Sequence, residues 1–152
     1  MMIKTIMMIL LPLLAWTALH APPATAETIQ WLTYDQAQKQ SHGQDRKILL
    51  YFQNDRCGYC RKLEKETLAD KELAAYINAN YIPVRVNTDK APRIASQHGV
   101  RGVPDLHFLS ANGDAIANWP GFIELARLMP LLRYIHTDSY LNMSYSDFMR
   151  QQ

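Results

Sequence analysis

The chain has little of what marks an extended, fibrous or nucleic-acid-binding protein. Its 152 residues are 48% apolar and 20% charged, the composition of an ordinary globular protein. No excess of one sign is present, since 16 basic and 14 acidic residues leave a net charge of +2. This balance lacks the basic footprint of a nucleic-acid-binding protein. We therefore expect one globular domain, with no nucleic-acid partner.

The apolar run near the N terminus is too short to span a bilayer. It covers about fourteen residues from Ile6 to Leu19 and contains Pro12, whereas a spanning helix needs roughly 20. Lys4 precedes the run, and Ala24-Thr25-Ala26 follows it, which is the layout of a cleaved secretory signal peptide. A membrane anchor is the alternative. We expect residues 1–26 to be a signal peptide and residues 27–152 to form a periplasmic domain, where oxidising conditions favour disulfides.

Helices and strands alternate along the rest of the chain. Two helix-joined strands followed by the hairpin signal Asn112-Gly113 predict a mixed sheet flanked by helices. Pro130 either kinks the last helix or marks its first turn. Thr33 and Gln36 are predicted to form the capping box of the first helix, and His42-Gly43 its stop. The predicted elements are a helix from Thr33 to about Ser41, a buried strand over Lys47–Phe52, helices from Cys57 to about Leu68 and from Asp70 to Asn80, a strand over Tyr81–Asn87 with Pro83 opposing a full ladder, a short helix over Pro92–Gln97, strands over Val103–Leu109 and Asp114–Asn118, and a helix over Leu125–Ile135.

The only two cysteines, Cys57 and Cys60, can form at most one internal disulfide, which would close a loop too small to stabilise a fold. In a helix that follows a buried strand, their Cα atoms would lie about 5 Å apart, within disulfide range. Cys57 would stand at the helix N terminus, where the helix dipole favours a thiolate, and Arg56 and Arg61 add positive charge. Cys60, one turn further into the helix, would be less exposed and could attack a mixed disulfide formed by Cys57. The pattern predicts a nucleophilic and a resolving thiol.

Other uses of this cysteine pair have weaker support. Zinc needs about four ligands, and the chain has no second cysteine pair or close histidine pair. Covalent haem needs a histidine where Arg61 stands. A structural disulfide and Cu(I) delivery through the dithiol remain open. We expect no metal and no organic cofactor, and we assign no role to the scattered histidines, among them His42, His98, His107 and His136.

Two separated motifs, Cys57-Gly58-Tyr59-Cys60 and the segment from Gly99 to Pro104, resemble those of the thioredoxin superfamily, and the likeness covers Ile48 to Ile135. Within it the chain resembles small periplasmic thioredoxin-like proteins such as SoxW and the C-terminal domain of DsbD. The resemblance implies an α/β thioredoxin fold, with a mixed central β-sheet flanked by helices and a short C-terminal helical extension. Its core would span about residues 46–136 and the extension residues 137–152.

The resemblance also implies a site and its partners. Pro104 would be a cis-proline facing the cysteine pair, and the backbone of Val103 would pair with an extended substrate segment. The implied residues are the catalytic Cys57 and Cys60 and the substrate-binding Gly58, Tyr59, Val103 and Pro104. Arg56 and Arg61 would support Cys57 through their positive charge. The partners would be protein thiols and disulfides, with a membrane electron donor of the DsbD type or acceptor of the DsbB type. A monomer is the expected state.

The chain departs from the family pattern at positions near the cysteines. Arg56 replaces the usual tryptophan before the first cysteine, and Asp105 follows the proline where small or hydroxylated residues are common. The charge of Asp105 would disfavour a Cys57 thiolate. Arg85, on the second strand, loses the acidic neighbour that the family pattern would offer.

Tyr51 is a further departure, because many members carry a buried acid at this position that helps to move the proton of the second thiol. Without that acid, fast reduction of the thioredoxin type is not expected. Asp55, Glu64 or water could take over that function.

These features predict a periplasmic thiol:disulfide oxidoreductase, most simply a thioredoxin-like reductase or thiol carrier. A disulfide isomerase or oxidase is an alternative, since the Gly-Tyr dipeptide resembles that of DsbC. A non-catalytic binding module is another, in which the Pro104 edge or the aromatic tail over Tyr140–Phe148 holds a partner.

Overall fold

The computed structural model describes residues 28–41 and 44–151. The expected signal peptide and the predicted helix stop at His42-Gly43 lie outside these residues. The elements in chain order are α1 (Tyr34–Ser41), β1 (Lys47–Gln53), α2 (Gly58–Leu63), a π-helical turn (Glu64–Leu68), α3 (Lys71–Asn80), β2 (Tyr81–Asn87), α4 (Pro92–Gln97), β3 (Asp105–Leu109), β4 (Ala115–Pro120), α5 (Leu125–His136), a 3-10 turn (Ser139–Leu141) and α6 (Tyr145–Arg150).

The strands form one mixed sheet in the order β2-β1-β3-β4. β1 pairs in parallel with β2 and antiparallel with β3, and β3 pairs antiparallel with β4. The buried apolar run of β1 therefore occupies an inner position, as predicted. β4 covers Ala115–Pro120 rather than 114–118. Asp114 belongs to the turn before it, where its backbone N–H donates to the Ser110 hydroxyl and its carbonyl oxygen accepts from the Ser110 N–H. This arrangement confirms the predicted mixed sheet.

Each face of the sheet carries its own apolar layer. Alternate residues of β1 and β3 point to opposite faces, as strand geometry requires. The first layer joins Leu49, Tyr51, Leu106 and Phe108 with residues from α2, α3 and α5. The second joins Leu50, Phe52, Ile82, Val84 and Val86 with Ala37 of α1 and Ala95 of α4. The sheet is thus flanked by helices on both sides.

Pro83 does not interrupt the β1–β2 ladder, contrary to the prediction. All seven residues of β2 pair with β1, and Pro83 stands opposite Leu49. The carbonyl oxygen of Pro83 accepts a hydrogen bond from the backbone N–H of Leu32 at 2.9 Å, on the outer edge of the sheet. Its nitrogen faces the same outer edge, where a missing N–H costs the β1 pairing nothing.

The C-terminal extension packs on α5. Pro130 lies inside α5 and is not its first residue, which decides between the two predicted positions. Tyr134 of α5 contacts the rings of Tyr140, Tyr145 and Phe148, and its hydroxyl donates to the carbonyl of Met143 at 2.7 Å. The aromatic tail therefore covers the core beside α5.

Candidate active site

Cys57 and Cys60 form a disulfide where β1 gives way to α2, with 5.2 Å between their Cα atoms. Cys57 caps α2 rather than lying within it, and its Sγ accepts a hydrogen bond from the backbone N–H of Cys60 at 3.0 Å. A backbone donor directed at this sulfur stabilises it as an anion after reduction. The local geometry therefore favours Cys57 as the thiolate of the pair.

The two cysteines differ in access to solvent. Cys57 is half-buried at the surface, whereas Cys60 is 1% exposed and belongs to the core layer under α2. Only Cys57 can meet a cysteine of another protein. The predicted difference in exposure between the two thiols is confirmed.

The segment before β3 lies against Cys57. The Val103–Pro104 peptide bond is cis, and the carbonyl oxygen of Val103 lies 3.5 Å from the Cys57 Sγ. The carbonyl oxygen of the buried Pro104 accepts a hydrogen bond from Gly121 at 2.7 Å, which ties this segment to the end of β4. β3 begins at Asp105 rather than at Val103, so the Val103 backbone stands outside the ladder.

The other predicted residues surround the pair at the surface. Gly58 and Tyr59 are exposed, and Tyr59 has 67% of its surface accessible. The Arg56 guanidinium is directed at Asp89, 3.9 Å away, and that of Arg61 donates to the carbonyl oxygen of Asp55 at 3.2 Å. The structure thus places an exposed glycine and the exposed side chains of a tyrosine and two arginines beside Cys57.

Tyr51 occupies the position where the family pattern has a buried acid, and its hydroxyl contacts Glu64 of the π-helical turn. The Tyr51 hydroxyl donates to Glu64 Oε1 at 3.2 Å and lies 3.4 Å from the Cys60 carbonyl oxygen. Burial, and next the Glu64 carboxylate, raise the pKa of Tyr51 well above its usual range. Asp55 is not part of this contact, since its carboxylate accepts from the Asn87 amide at 3.0 Å.

Arg85 faces Tyr51 where the family pattern offers an acid, and it has a different acidic neighbour, Glu64. Its Nη2 lies 3.7 Å from Glu64 Oε1. Arg85 stands directly opposite Tyr51 in the β1–β2 register, and Glu64 reaches the same face from the π-helical turn after α2. The acid comes from a helix above the sheet, so the order of residues within the strands could not reveal it.

Asp105 contacts a histidine on the second face of the sheet. Its Oδ2 lies 3.0 Å from Nε2 of His107, and both side chains are buried. His107 contacts the rings of Phe52 and His98, at centroid distances of 5.1 and 5.9 Å. Asp105 therefore has a buried histidine neighbour that sequence reasoning missed. Alternation along β3, which places residues 105 and 107 on one face, was the available signal.

His98 makes stability depend on pH. Burial, and then the neighbouring His107, lower the pKa of His98. The unfolded chain takes up this proton near pH 6.5, and the folded protein only at lower pH, so stability falls as pH drops below about 6.5. We expect His98→Asn to reduce the slope of unfolding free energy against pH, measured by urea unfolding between about pH 5 and 7. An unchanged slope would contradict this role of His98.

The described residues contain neither a metal-binding cluster nor a membrane-spanning helix. Over residues 28–41 and 44–151, no three His, Cys, Asp or Glu side chains form a group that could hold a metal ion. Within those same ranges, no helix is long and apolar enough to cross a membrane.

The sequence is similar to curated redox proteins. It is 26% identical over 107 residues to the protein named disulfide bond reductase DsbH of Chlamydia pneumoniae, covering 62% of this chain and 64% of that protein. It is 36% identical over 62 residues to thioredoxin 1 of a Nostoc species, covering 41% and 55% of the two chains. The chain thus matches less than two thirds of the length of either relative.

The fold is similar to solved structures. A DsbH oxidoreductase superimposes with a TM-score of 0.64 at 22% identity, covering 77% of this chain and 90% of that one. This likeness confirms the predicted thioredoxin fold. Residues 34–136 match a family described as thioredoxin-like domain. That match includes the disulfide, the Val103–Pro104 segment and the whole sheet, and the chain belongs to the thioredoxin-like domain family.

Proposed function

We propose that this protein is a thiol:disulfide oxidoreductase that exchanges its Cys57–Cys60 disulfide with cysteines of other proteins, acting as a reductase or thiol carrier. The observation that carries the proposal is the asymmetry of the pair. Cys57 is accessible and beside a backbone donor and the Val103 carbonyl, whereas Cys60 is buried one turn further along. The similarity to a protein named disulfide bond reductase and to a thioredoxin supports electron transfer from this protein to its clients.

The exchange needs only these two sulfur atoms. In the reduced protein, the Cys57 thiolate attacks one sulfur of a client disulfide, and the other client sulfur leaves as a thiolate. Cys60 then loses its proton and attacks the Cys57 sulfur of the mixed disulfide. The Cys57–Cys60 bond forms as the second client thiolate departs, so two electrons pass to the client.

Client binding would use the surface around Cys57. The backbone of Val103, outside the β3 ladder, is placed to receive an extended client segment as a short added strand, with Pro104 fixing the segment behind it. Exposed Gly58 leaves room for the client backbone, and Tyr59 offers an aromatic surface.

Tyr59 provides a test of this surface. We expect Tyr59→Ala to slow reduction of a protein disulfide by about tenfold, the equivalent of about 1.4 kcal/mol, through loss of aromatic contact with the client. Reduction of a small aromatic disulfide should change little. The control is Leu141→Ala, since Leu141 is equally exposed at 69% but lies in the C-terminal extension. Equal losses in both variants would contradict a docking role for Tyr59.

We further propose that the protein works as a monomer in the periplasm, after removal of residues 1–26, and receives electrons from a membrane donor of the DsbD type. An acceptor of the DsbB type would be needed if electrons flowed the other way. The oxidising compartment supports the need for such a donor, because an unassisted dithiol would stay oxidised there.

The direction of exchange tests the function. The reduced domain is mixed with a protein that has one disulfide, and the oxidised domain with its dithiol form, and free thiols are trapped by alkylation and counted by mass. A reductase transfers electrons faster in the first mixture. Faster oxidation in the second would favour an oxidase or isomerase, and no transfer in either would leave a binding module.

A further inference from the structure

Three chain segments meet at the edge of the sheet that carries the disulfide. They are residues 54–61 after β1, residues 87–93 after β2 and residues 99–104 before β3. The Thr88 backbone N–H donates to the Gln53 carbonyl oxygen at 2.9 Å, so the first two segments are in contact. Asn54, Thr88 and part of the third segment line a cavity of about 240 Å³. We call the exposed surface of these three segments the rim of Cys57.

The rim carries a surplus of positive charge. Five of its charged side chains are cations and two are carboxylates, and all seven are exposed. The whole chain has a net charge of +2, so the residues outside the rim carry a net charge of −1. The surplus is therefore a local feature that the overall composition conceals. The cations are Arg56, Arg61, Lys90, Arg93 and Arg101, and the carboxylates are Asp55 and Asp89.

Only one rim cation has a carboxylate partner among the residues that the structure describes. Arg56 lies 3.9 Å from Asp89, and the two side chains are 89% and 48% exposed. Such an exposed pair is worth little, so the guanidinium is free to turn toward another anion. Asp55 accepts from the Asn87 amide at 3.0 Å. The other four rim cations form no ion pair within the described part of the chain.

Arg61 brings one of these unpaired charges next to the disulfide. Its guanidinium folds back along the first turn of α2 and donates to the Asp55 carbonyl oxygen at 3.2 Å. Its Nη2 lies 3.9 Å from the point where a Cβ at Gly58 would stand. A client segment that passes over Gly58 would therefore meet this guanidinium. Arginine binds carboxylates through strong, often bidentate, hydrogen bonds, so an acidic client residue would be favoured there.

Arg101 supplies a second unpaired charge, from the segment before β3. It is exposed and stands two residues before Val103, whose carbonyl oxygen lies 3.5 Å from the Cys57 Sγ. Arg101 lines the cavity of about 240 Å³ and also one of about 370 Å³, which Val103 and Pro104 share. Two residues span at most about 7 Å, less than the screening length of about 10 Å at 0.1 M salt. A client segment docked beside Val103 would thus lie near cations from two different segments.

We propose that the rim of Cys57 makes the protein prefer client disulfides whose cysteines are flanked by aspartate or glutamate. This inference rests on the proposed function and names the class of client. Opposite charges speed the encounter and orient the client, whereas a client flanked by lysine meets like charge. Arg56 stands where the family pattern has tryptophan, so a charge replaces part of an apolar docking surface. The rim cations determine specificity and take no part in making or breaking the disulfide bonds.

Two peptides, each closed by one disulfide, test this preference. They share one sequence except for the residues on either side of one cysteine, which are aspartate in one peptide and lysine in the other. The rate constant for reduction by the reduced protein is divided by that for dithiothreitol with the same peptide, which corrects for the peptide's own reactivity. We expect the aspartate peptide to be reduced at least about tenfold faster at about 20 mM salt. The ratio should approach one near 1 M salt, where the screening length is about 3 Å.

Charge reversal at two rim positions outside α2 shows whether the rim causes the preference. A variant with Arg93→Glu and Arg101→Glu should lose the preference and should reduce the uncharged hydroxyethyl disulfide at an unchanged rate. The control variant carries Lys39→Glu and Arg133→Glu, at exposed positions in the last turns of α1 and α5. It has the same net charge as the rim variant and should keep the preference.

Failure of this inference is distinguishable from failure of the proposed function. Equal corrected rates for the two peptides at low salt overturn the inference, and so does a preference that the rim variant keeps. A preference lost equally in the control variant would come from net charge rather than from the rim, which also overturns it. If the unaltered protein reduces neither the peptides nor hydroxyethyl disulfide, the oxidoreductase function itself is overturned.

Discussion

Replacing Cys57 by serine should abolish disulfide exchange. A serine hydroxyl does not attack a disulfide, and the buried Cys60 cannot meet a client in its place, since it is 1% exposed. We expect the rate of reduction of a protein disulfide to fall by at least about a thousandfold, as when a catalytic nucleophile is removed. The measurement is the initial rate with a client whose released thiols are trapped by alkylation.

Folding should survive this change and serves as its control. The lost disulfide closes only a short loop, worth at most about 2 kcal/mol in the chain-entropy model. The variant should therefore keep its circular dichroism spectrum and a cooperative unfolding transition. Residual exchange within about tenfold of the unaltered rate, in a folded variant, would contradict the assignment of Cys57 as the nucleophile.

Replacing Cys60 by serine should instead trap the client. Cys57 still attacks, because its access and its position beside Val103 are unchanged, but the resolving thiol is gone. We expect a stable mixed disulfide with one client per chain, and turnover reduced by about a hundredfold, with solution thiols performing the slow release. The measurement is the mass of the adduct under non-reducing conditions.

The pair of variants also fixes the order of attack. If Cys60→Ser formed no adduct while Cys57→Ser did, the two roles would be reversed. Adducts in neither variant would favour the interpretation of the disulfide as structural.

The sequence predicted the parts of the fold that depend on local pattern. The apolar run of β1 has no polar face, which places it inside a sheet, and the structure confirms this. The Thr33 and Gln36 capping box begins α1, with reciprocal hydrogen bonds at 2.9 and 3.3 Å. Asp70 likewise accepts from the backbone N–H of Leu73 at the start of α3. Such signals involve residues within one turn and are readable without the fold.

Features that depend on distant residues were not predictable. The contact of Glu64 with Tyr51 and Arg85 needs both the β1–β2 register and the π-helical turn, and no local pattern in the sequence signals either. The approach of His98 to His107 depends on where α4 ends over the sheet. Pro83 was misjudged because its effect depends on whether its nitrogen faces β1 or the outer edge.

The cysteine site lies between these cases. Spacing and position after a strand predicted the disulfide distance and the difference in burial. The contact of Cys57 with Val103 was expected only from the family resemblance, because 46 residues separate the two in the chain. Local chemistry therefore indicated which residues react, and the fold supplies what surrounds them.

If the Cys57–Cys60 pair cycles between disulfide and dithiol as a reductase, an equilibrium redox titration of this pair tests it most directly. The domain starting at Glu27 is equilibrated in dithiothreitol and glutathione buffers and its free thiols are trapped. We predict one two-electron transition near that of thioredoxin, about −270 mV. A potential between about −120 and −180 mV would contradict the reductase direction, and a disulfide that never exchanges with the buffer would contradict the redox function altogether.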